Sequence, residues 1–130
     1  MVYCSLSHTE VGCIVTRRVY KALLIISLII CTVLFAKEIS LSPKLFPNID
    51  KVAHFGVFFV LAFISHHAFK VKVWTHIVLL SLYGAGIEWM QHTLPYRQAS
   101  TADFLADLAG AVSYFVLFYI WASWRNRKHG

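Results

Sequence analysis

Charged residues are scarce in this chain. Of its 130 residues, 14% are charged, whereas a soluble domain carries roughly 25%. Acidic residues are the scarcest, with six against twelve Lys and Arg, so the formal net charge is +6. Hydrophobic residues make up 58% of the chain. This balance disfavours a soluble globular domain and, together with the length, predicts a membrane protein with one domain.

Cysteine is also rare. The three positions, Cys4, Cys13 and Cys31, show neither a CxxC motif nor the Cys/His spacing of a zinc site, so a disulfide scaffold is not expected. Cys31 is interpreted as a small buried hydrophobe. The basic residues occur in short clusters beside apolar runs, as Lys and Arg do in inner-membrane proteins. Nucleic acid is therefore not expected as a partner.

Proline is absent from four long apolar runs. These runs cover residues 19–36, 52–69, 74–93 and 104–124, and each is close to the roughly 20 residues that a membrane-spanning helix needs. The sequence predicts an all-α bundle of four transmembrane helices, with a membrane domain over 19–124 and tails over 1–18 and 125–130. A cleaved signal peptide is the alternative for the first run. Its apolar part is longer than a typical signal and "LFAKE" is a poor cleavage site, so an uncleaved helix is expected.

The distribution of Lys and Arg predicts the orientation of the helices. With four spans, both termini and the connection between the second and third runs share one side of the membrane. That side has eight basic residues, Arg17, Arg18, Lys21, Lys70, Lys72, Arg125, Arg127 and Lys128. The other side has four, Lys37, Lys44, Lys51 and Arg97. Both termini are therefore predicted to be cytoplasmic, in a multi-pass protein of the bacterial inner membrane.

Polar residues gather at the predicted outer ends of the last three helices. They are Asp50, Lys51, His54, Glu88, Gln91, Arg97, Asp103 and Asp107. Spacings of three or four residues place those of each helix on one face, so we expect one site at the outer membrane face. Glu88 and Asp107 lie about one turn inside the predicted helix ends, where ionisable groups usually face the protein interior or a wet cavity.

Several of these residues also have purely structural interpretations. Asp50 is a candidate N-cap, and Asp103 suits the first turn of a helix, where a negative charge complements the macrodipole. Lys51 and Arg97 are candidate interfacial anchors. Glu88 is far from the start of its own helix, so we do not expect it to cap a helix. Its structural interpretation is a bond to His54 or Arg97 that joins two helices.

Three segments resemble one known family. "DKVAHFGVFF", "IEWMQHTLPYRQAS" and "ADFLADLAGAV" are similar to the VanZ-like membrane proteins, over residues 50 to 114. The matching positions are Asp50, Lys51, His54, Glu88, Gln91, Pro95, Arg97, Asp103, Asp107 and Gly110. Asp107 stands where many members have Asn. The family takes its name from a protein associated with low-level teicoplanin resistance, so the resemblance implies an envelope role and suggests glycopeptide-antibiotic resistance.

Three functions stay open on the sequence. The preferred one is a non-enzymatic envelope protein that binds or shields a surface component, such as a peptidoglycan precursor, a lipid or a drug. Its expected partners are membrane lipids and a lipid-linked or anionic envelope ligand at the polar residues. The second is an enzyme on a lipid-linked or phosphorylated substrate, with His54 as base or nucleophile, Glu88 or Asp103 as its orienting group and Arg97 as phosphate clamp. A proton-coupled transporter is the least favoured, because four helices make a small pathway unless the chain oligomerises.

No metal or cofactor is expected from the sequence. His54 with the nearby carboxylates would suit zinc or manganese, but no metal-binding motif such as HExxH supports that interpretation. His66, His67 and His76 form a second group near the predicted cytoplasmic side. We interpret them as solvated interfacial histidines rather than as metal ligands.

Overall fold

The chain folds into four helices. In a computed structural model, residues 10–37, 48–96 and 100–129 are described, and these segments contain no strand. The helices are α1 (Glu10–Ala36), α2 (Ile49–Ala68), α3 (Val73–Thr93) and α4 (Thr101–His129). The predicted all-α class and the order of the helices are therefore confirmed. The helices α1, α2 and α4 begin earlier than the predicted runs and α4 also ends later. The apolar runs alone understate helix length, because polar residues such as Arg17, Arg18 and Arg125 also form helix well.

The helix α2 lies at the centre of the bundle and packs against the other three helices. The connection between α2 and α3 is short, so these two helices run antiparallel. Side-chain contacts show the remaining directions. His54 near the start of α2 bonds Asp107 near the start of α4, and Gln91 near the end of α3 bonds the Phe35 carbonyl near the end of α1. We call the end where α1 and α3 finish and α2 and α4 begin the polar end.

A close seam joins α2 to α4. A Cβ atom at Gly110 would overlap the backbone carbonyl of Phe55, so a glycine is needed at this crossing. Small residues let helix backbones approach in a membrane, where packing rather than water exclusion drives association. Below the crossing, the buried side chains of Phe58, Leu61 and Phe115 fill the core. The position of Gly110 therefore sets how closely the polar residues of α2 and α4 approach.

The two helix starts at the polar end differ from each other. Asn48, not Asp50, occupies the N-cap of α2, with a φ of 73° and no side-chain capping bond, so the N-cap interpretation of Asp50 is wrong. Asp50 is the second residue of the helix, in its first turn, where the helix dipole still favours a negative charge. Asp103 lies in the first turn of α4, as predicted. Backbone N–H groups of Asp103 and Phe104 donate to the Ser100 carbonyl at 2.9 and 3.3 Å.

Three helical segments are long and apolar enough to cross a membrane, Ile14–Ala36, Ile49–Ala68 and Thr101–Lys128. Large apolar side chains are also exposed along the bundle, for example Ile25 at 60% and Leu82 at 65%. Water-soluble monomers rarely expose apolar patches of this extent. The chain is therefore a helical membrane protein, while the fourth span and the cytoplasmic termini stay predictions.

We expect Gly110→Ala to destabilise the bundle by about 1–3 kcal/mol, because the added methyl must push α2 away from α4. Gly86→Ala is the matched control, since nothing lies within 4 Å of a Cβ at that position. Thermal unfolding of both variants in detergent measures the difference. Equal melting temperatures would show that the seam does not constrain the two helices.

Candidate functional site

A buried histidine–carboxylate pair lies between α2 and α4. His54 Nδ1 is 2.8 Å from Asp107 Oδ1, and the side chains are 4% and 0% exposed. The Phe35 ring from α1 stacks on the His54 imidazole at 4.3 Å between centroids and fixes its plane. We expected Glu88 or Asp103 to orient His54, but the hydrogen bond goes to Asp107. When Asp107 is ionised, the Nδ1–H group of His54 donates to Asp107 Oδ1. In the neutral ring, Nε2 is then an acceptor and takes no part in this hydrogen bond.

The helix α3 closes over the Asp107 carboxylate. A Cβ at Gly84 would lie 2.9 Å from Asp107 Oδ2 and 3.3 Å from the Phe58 ring. The absence of a side chain at Gly84 therefore prevents a steric clash with the carboxylate. Gly84 and Gln91 are both buried. This agrees with the predicted polar face of α3, which turns toward the interior of the bundle.

Glu88 joins α3 to the start of α4. Its Oε2 accepts the backbone N–H of Ser100 at 3.0 Å. Free N–H groups at a helix start attract a carboxylate, and the helix dipole adds to this attraction. The expectation that Glu88 caps no helix start is therefore wrong, because it reaches the start of a neighbouring helix. Its other oxygen, Oε1, is buried without a hydrogen-bond partner.

Lys51 and Asp103 form a loose ion pair at the edge of the site. Lys51 Nζ lies 3.9 Å from Asp103 Oδ1, which is too long for a hydrogen bond. The lysine side chain is 42% exposed, so the pair is worth about 0–1 kcal/mol. Asp50 is exposed on the first turn of α2, and in the described part of the chain it has no hydrogen bond or ion pair with these groups. Among the described residues, Asp50 is therefore not part of the contacts that build the site.

Gln91 links α3 to the end of α1 beside the site. Its side-chain amide donates to the Phe35 carbonyl at 3.1 Å, at the end of α1. The same Phe35 ring packs on His54, so Gln91 helps to hold the imidazole in place. Arg97, the expected anchor or phosphate clamp, lies outside the described residues.

Three side chains bring possible metal-ligand atoms together. One ring nitrogen of His54 and one carboxylate oxygen each of Glu88 and Asp107 lie within 4.8 Å of one another. We call these three residues the polar cluster. Asp107 Oδ2 and Glu88 Oε1 are buried and make no hydrogen bond. Buried carboxylate oxygens without partners are costly, so the polar cluster has unused capacity for a proton, a hydrogen-bond donor or a cation.

The histidines at the opposite end of the bundle are more buried than predicted. His76 is 1% exposed and its Nδ1 lies 2.6 Å from Ser65 Oγ. His66 is half-buried and bonds Tyr114 Oη at 2.8 Å. The interpretation of His76 as a solvated interfacial residue is therefore wrong. Its partner Ser65 lies on another helix, so spacing along one helix gave no signal for this pair.

A double-mutant cycle tests the buried pair. Asp107→Leu should cost about 1–3 kcal/mol, because it leaves the buried His54 ring without its acceptor. His54→Leu combined with Asp107→Leu should recover part of this loss, since two apolar groups need no partner. Thermal unfolding in detergent gives the coupling, with Asp50→Leu as a control for an exposed carboxylate on the neighbouring helix turn. Additive effects of the two substitutions would contradict the pairing.

The comparison with known proteins agrees with the motif resemblance and extends it. The family model described as VanZ/LLP1 matches residues 8–122, which covers nearly all of the four helices. No curated protein and no solved structure matches the chain at a significant level. The helices, the three motif segments and the family match together show that the chain belongs to the VanZ/LLP1 family.

Proposed function

We propose that α3 is a fourth membrane span, so that both termini are cytoplasmic and the polar end lies at the outer face of the bacterial inner membrane. A 21-residue helix is roughly 30 Å long, enough for the hydrocarbon core. Its polar residues His76 and Gln91 are buried, so they lower its average hydropathy without facing lipid. Its outward side chains include Leu82 and Trp89, at 65% and 78% exposed. The excess of Lys and Arg beside both termini supports this orientation.

Labelling of single cysteines tests this topology. In a chain whose own cysteines are replaced, Thr93→Cys should react with a membrane-impermeant maleimide on intact cells, because the end of α3 would face outward. Lys72→Cys, at the start of the same helix, should react only after the cells are opened. Equal reactivity of both positions in intact cells would show that α3 does not cross the membrane.

The function that the site supports best is binding of an envelope component by its polar headgroup. The observation that carries this proposal is the unused hydrogen-bonding capacity of the polar cluster, at Asp107 Oδ2 and Glu88 Oε1. A bundle that needed only stability would gain by replacing buried ionisable groups with apolar ones. A ligand with hydroxyl or amine donors would instead satisfy these oxygens.

The expected ligand is a lipid-linked envelope molecule. Its acyl or isoprenoid chain would lie along the apolar outer surface of the bundle, with its headgroup at the polar end. Lys51 is partly exposed beside the cluster and offers a positive charge to an anionic part of that headgroup. Arg97, one of the motif residues, would add a planar guanidinium that binds phosphate bidentately. Shielding of such a molecule from a glycopeptide antibiotic is the form that a resistance role would take.

An enzyme is the second candidate, and one observation favours it. The short bond from His54 to Asp107 fixes the tautomer and plane of the imidazole, as in an oriented general base. Nε2 would then accept a proton from a hydroxyl of the bound headgroup. Catalysis would use the same cluster as binding, so the two candidates differ in whether the ligand is changed.

Glu88→Gln separates these possibilities. The amide oxygen of Gln can still accept the Ser100 N–H, so the fold should be retained, while the negative charge is lost. We expect a lipid-linked molecule to co-purify with wild type and to be strongly depleted in Glu88→Gln, as measured by mass spectrometry of lipid extracts. Asp50→Asn, which removes an exposed carboxylate at the same end, should leave it bound.

Retention of an altered lipid in wild type and of the unaltered lipid in Glu88→Gln would favour the enzyme. The binding proposal fails if the lipid extract of wild type matches that of Glu88→Gln and of an unrelated membrane protein.

A further inference from the structure

We infer that His54, Glu88 and Asp107 form a binding site for a divalent transition-metal cation. The inference goes beyond the proposed function, because it concerns an ion held by the protein's own side chains. One imidazole nitrogen and two carboxylate oxygens, each from a different helix, lie within 4.8 Å of one another. This donor set suits Zn²⁺ or Mn²⁺.

The charge of the cluster supports a cation. Asp107 is fully buried and Glu88 lies beside it, so two carboxylates share one small volume. The nearby lysine, Lys51, makes its ion pair with Asp103 at the edge of the site rather than with these two residues. Like charges so close disfavour each other's ionised form. A dication bound between them would neutralise both.

The orphaned oxygens are a second, independent observation. Asp107 Oδ2 and Glu88 Oε1 are buried and have no hydrogen-bond partner, although their sister oxygens are bonded. Nearly all buried polar atoms in native proteins have a partner, so these two require an explanation. Four buried side-chain atoms lack a partner in the described residues, and two of them belong to this three-residue cluster. A shared cation would account for both orphaned oxygens at once.

The distances between the ligand atoms allow a metal ion to bind after small movements of the three side chains. His54 Nδ1 and Asp107 Oδ1 are 2.8 Å apart, slightly less than the roughly 3.0 Å between neighbouring ligands of an octahedral ion with ligand distances near 2.1 Å. Binding through Nδ1 would release the ring proton to solvent, and a turn of the Asp107 carboxylate would bring the unpaired Oδ2 toward the ion. Glu88 is not fully buried, and rotation of its carboxylate would bring Oε1 into the same shell.

The surrounding contacts are those that orient metal ligands. The Ser100 N–H holds one oxygen of the Glu88 carboxylate, and the stacked Phe35 ring fixes the plane of His54. Outer contacts of this kind position ligands and tune their affinity for a metal. Three protein ligands would leave open positions on the ion, as in metal sites that bind a substrate or water.

A bound cation also has a consequence that rests on the proposed function. Buried carboxylates alone would repel the phosphate of a lipid-linked headgroup. A dication with open positions would instead bind a phosphate or hydroxyl oxygen directly. The metal would then convert a negatively charged cluster into a receptor for an anionic headgroup.

The test is metal binding by the full chain, purified in detergent with no polyhistidine tag. After chelation and removal of the chelator, wild type is titrated with Zn²⁺ and Mn²⁺ and its metal content is measured by mass spectrometry. We expect one equivalent per chain, and roughly tenfold or greater loss of affinity in His54→Gln, Glu88→Gln and Asp107→Asn. Asp50→Asn and His92→Gln, exposed positions at the same end, should bind as wild type does.

A spectroscopic measurement covers the case in which a variant fails to fold. Wild type loaded with Co²⁺ should show visible d–d absorption from nitrogen and oxygen ligands, and its melting temperature should rise with metal concentration. The inference is overturned if wild type shows no bound metal, no spectrum and no thermal shift. It is also overturned if Asp50→Asn and His92→Gln lose the metal as fully as the cluster variants do.

Lipid extraction from the same preparations keeps the two proposals apart. Bound metal without a specific lipid would support the cation site and contradict the headgroup proposal. A specific lipid without bound metal would support the headgroup proposal and contradict the cation site. In that case Arg97→Gln should release the lipid, because the guanidinium rather than a cation would neutralise the headgroup.

Discussion

The arrangement of the polar end depends on one buried hydrogen bond, between His54 and Asp107. In an apolar interior such a bond is stronger than in water, and either partner alone would be costly. Two glycines make it possible. Gly110 brings α2 and α4 close together, and Gly84 leaves space for the Asp107 carboxylate beneath α3. The closest helix contacts and the most buried charged group therefore occur in the same place.

The other polar residues attach the remaining helices to this pair. Gln91 holds the end of α1 through the Phe35 carbonyl, and Phe35 in turn covers the His54 ring. Glu88 holds the start of α4 through Ser100. Each of these residues uses part of its hydrogen-bonding capacity for structure, and Glu88 and Asp107 each retain one buried oxygen. Structural and ligand-binding roles are thus compatible within one side chain.

Much of this architecture could be predicted from the sequence. Hydrophobic runs indicated the helices, and helical spacing placed Glu88, Gln91 and Asp107 on inward faces. Pairings could not be predicted, because spacing along a helix says nothing about which neighbour a side chain meets. Asp107 was therefore missed as the partner of His54, and Ser65 as the partner of His76. Helix ends were also misplaced where a helix continues beyond the apolar run that predicted it, as at the C-terminal end of α4 after residue 124.

The central claim is that the buried oxygens of Asp107 and Glu88 hold a group that is not part of the chain. A high-resolution density map of the protein in lipid nanodiscs tests it most directly. The account predicts non-protein density within coordination or hydrogen-bond distance of Asp107 Oδ2 and Glu88 Oε1, continuous with a lipid headgroup or compact as for an ion. A map in which the Arg97 side chain fills that position, with no additional density, would contradict the account.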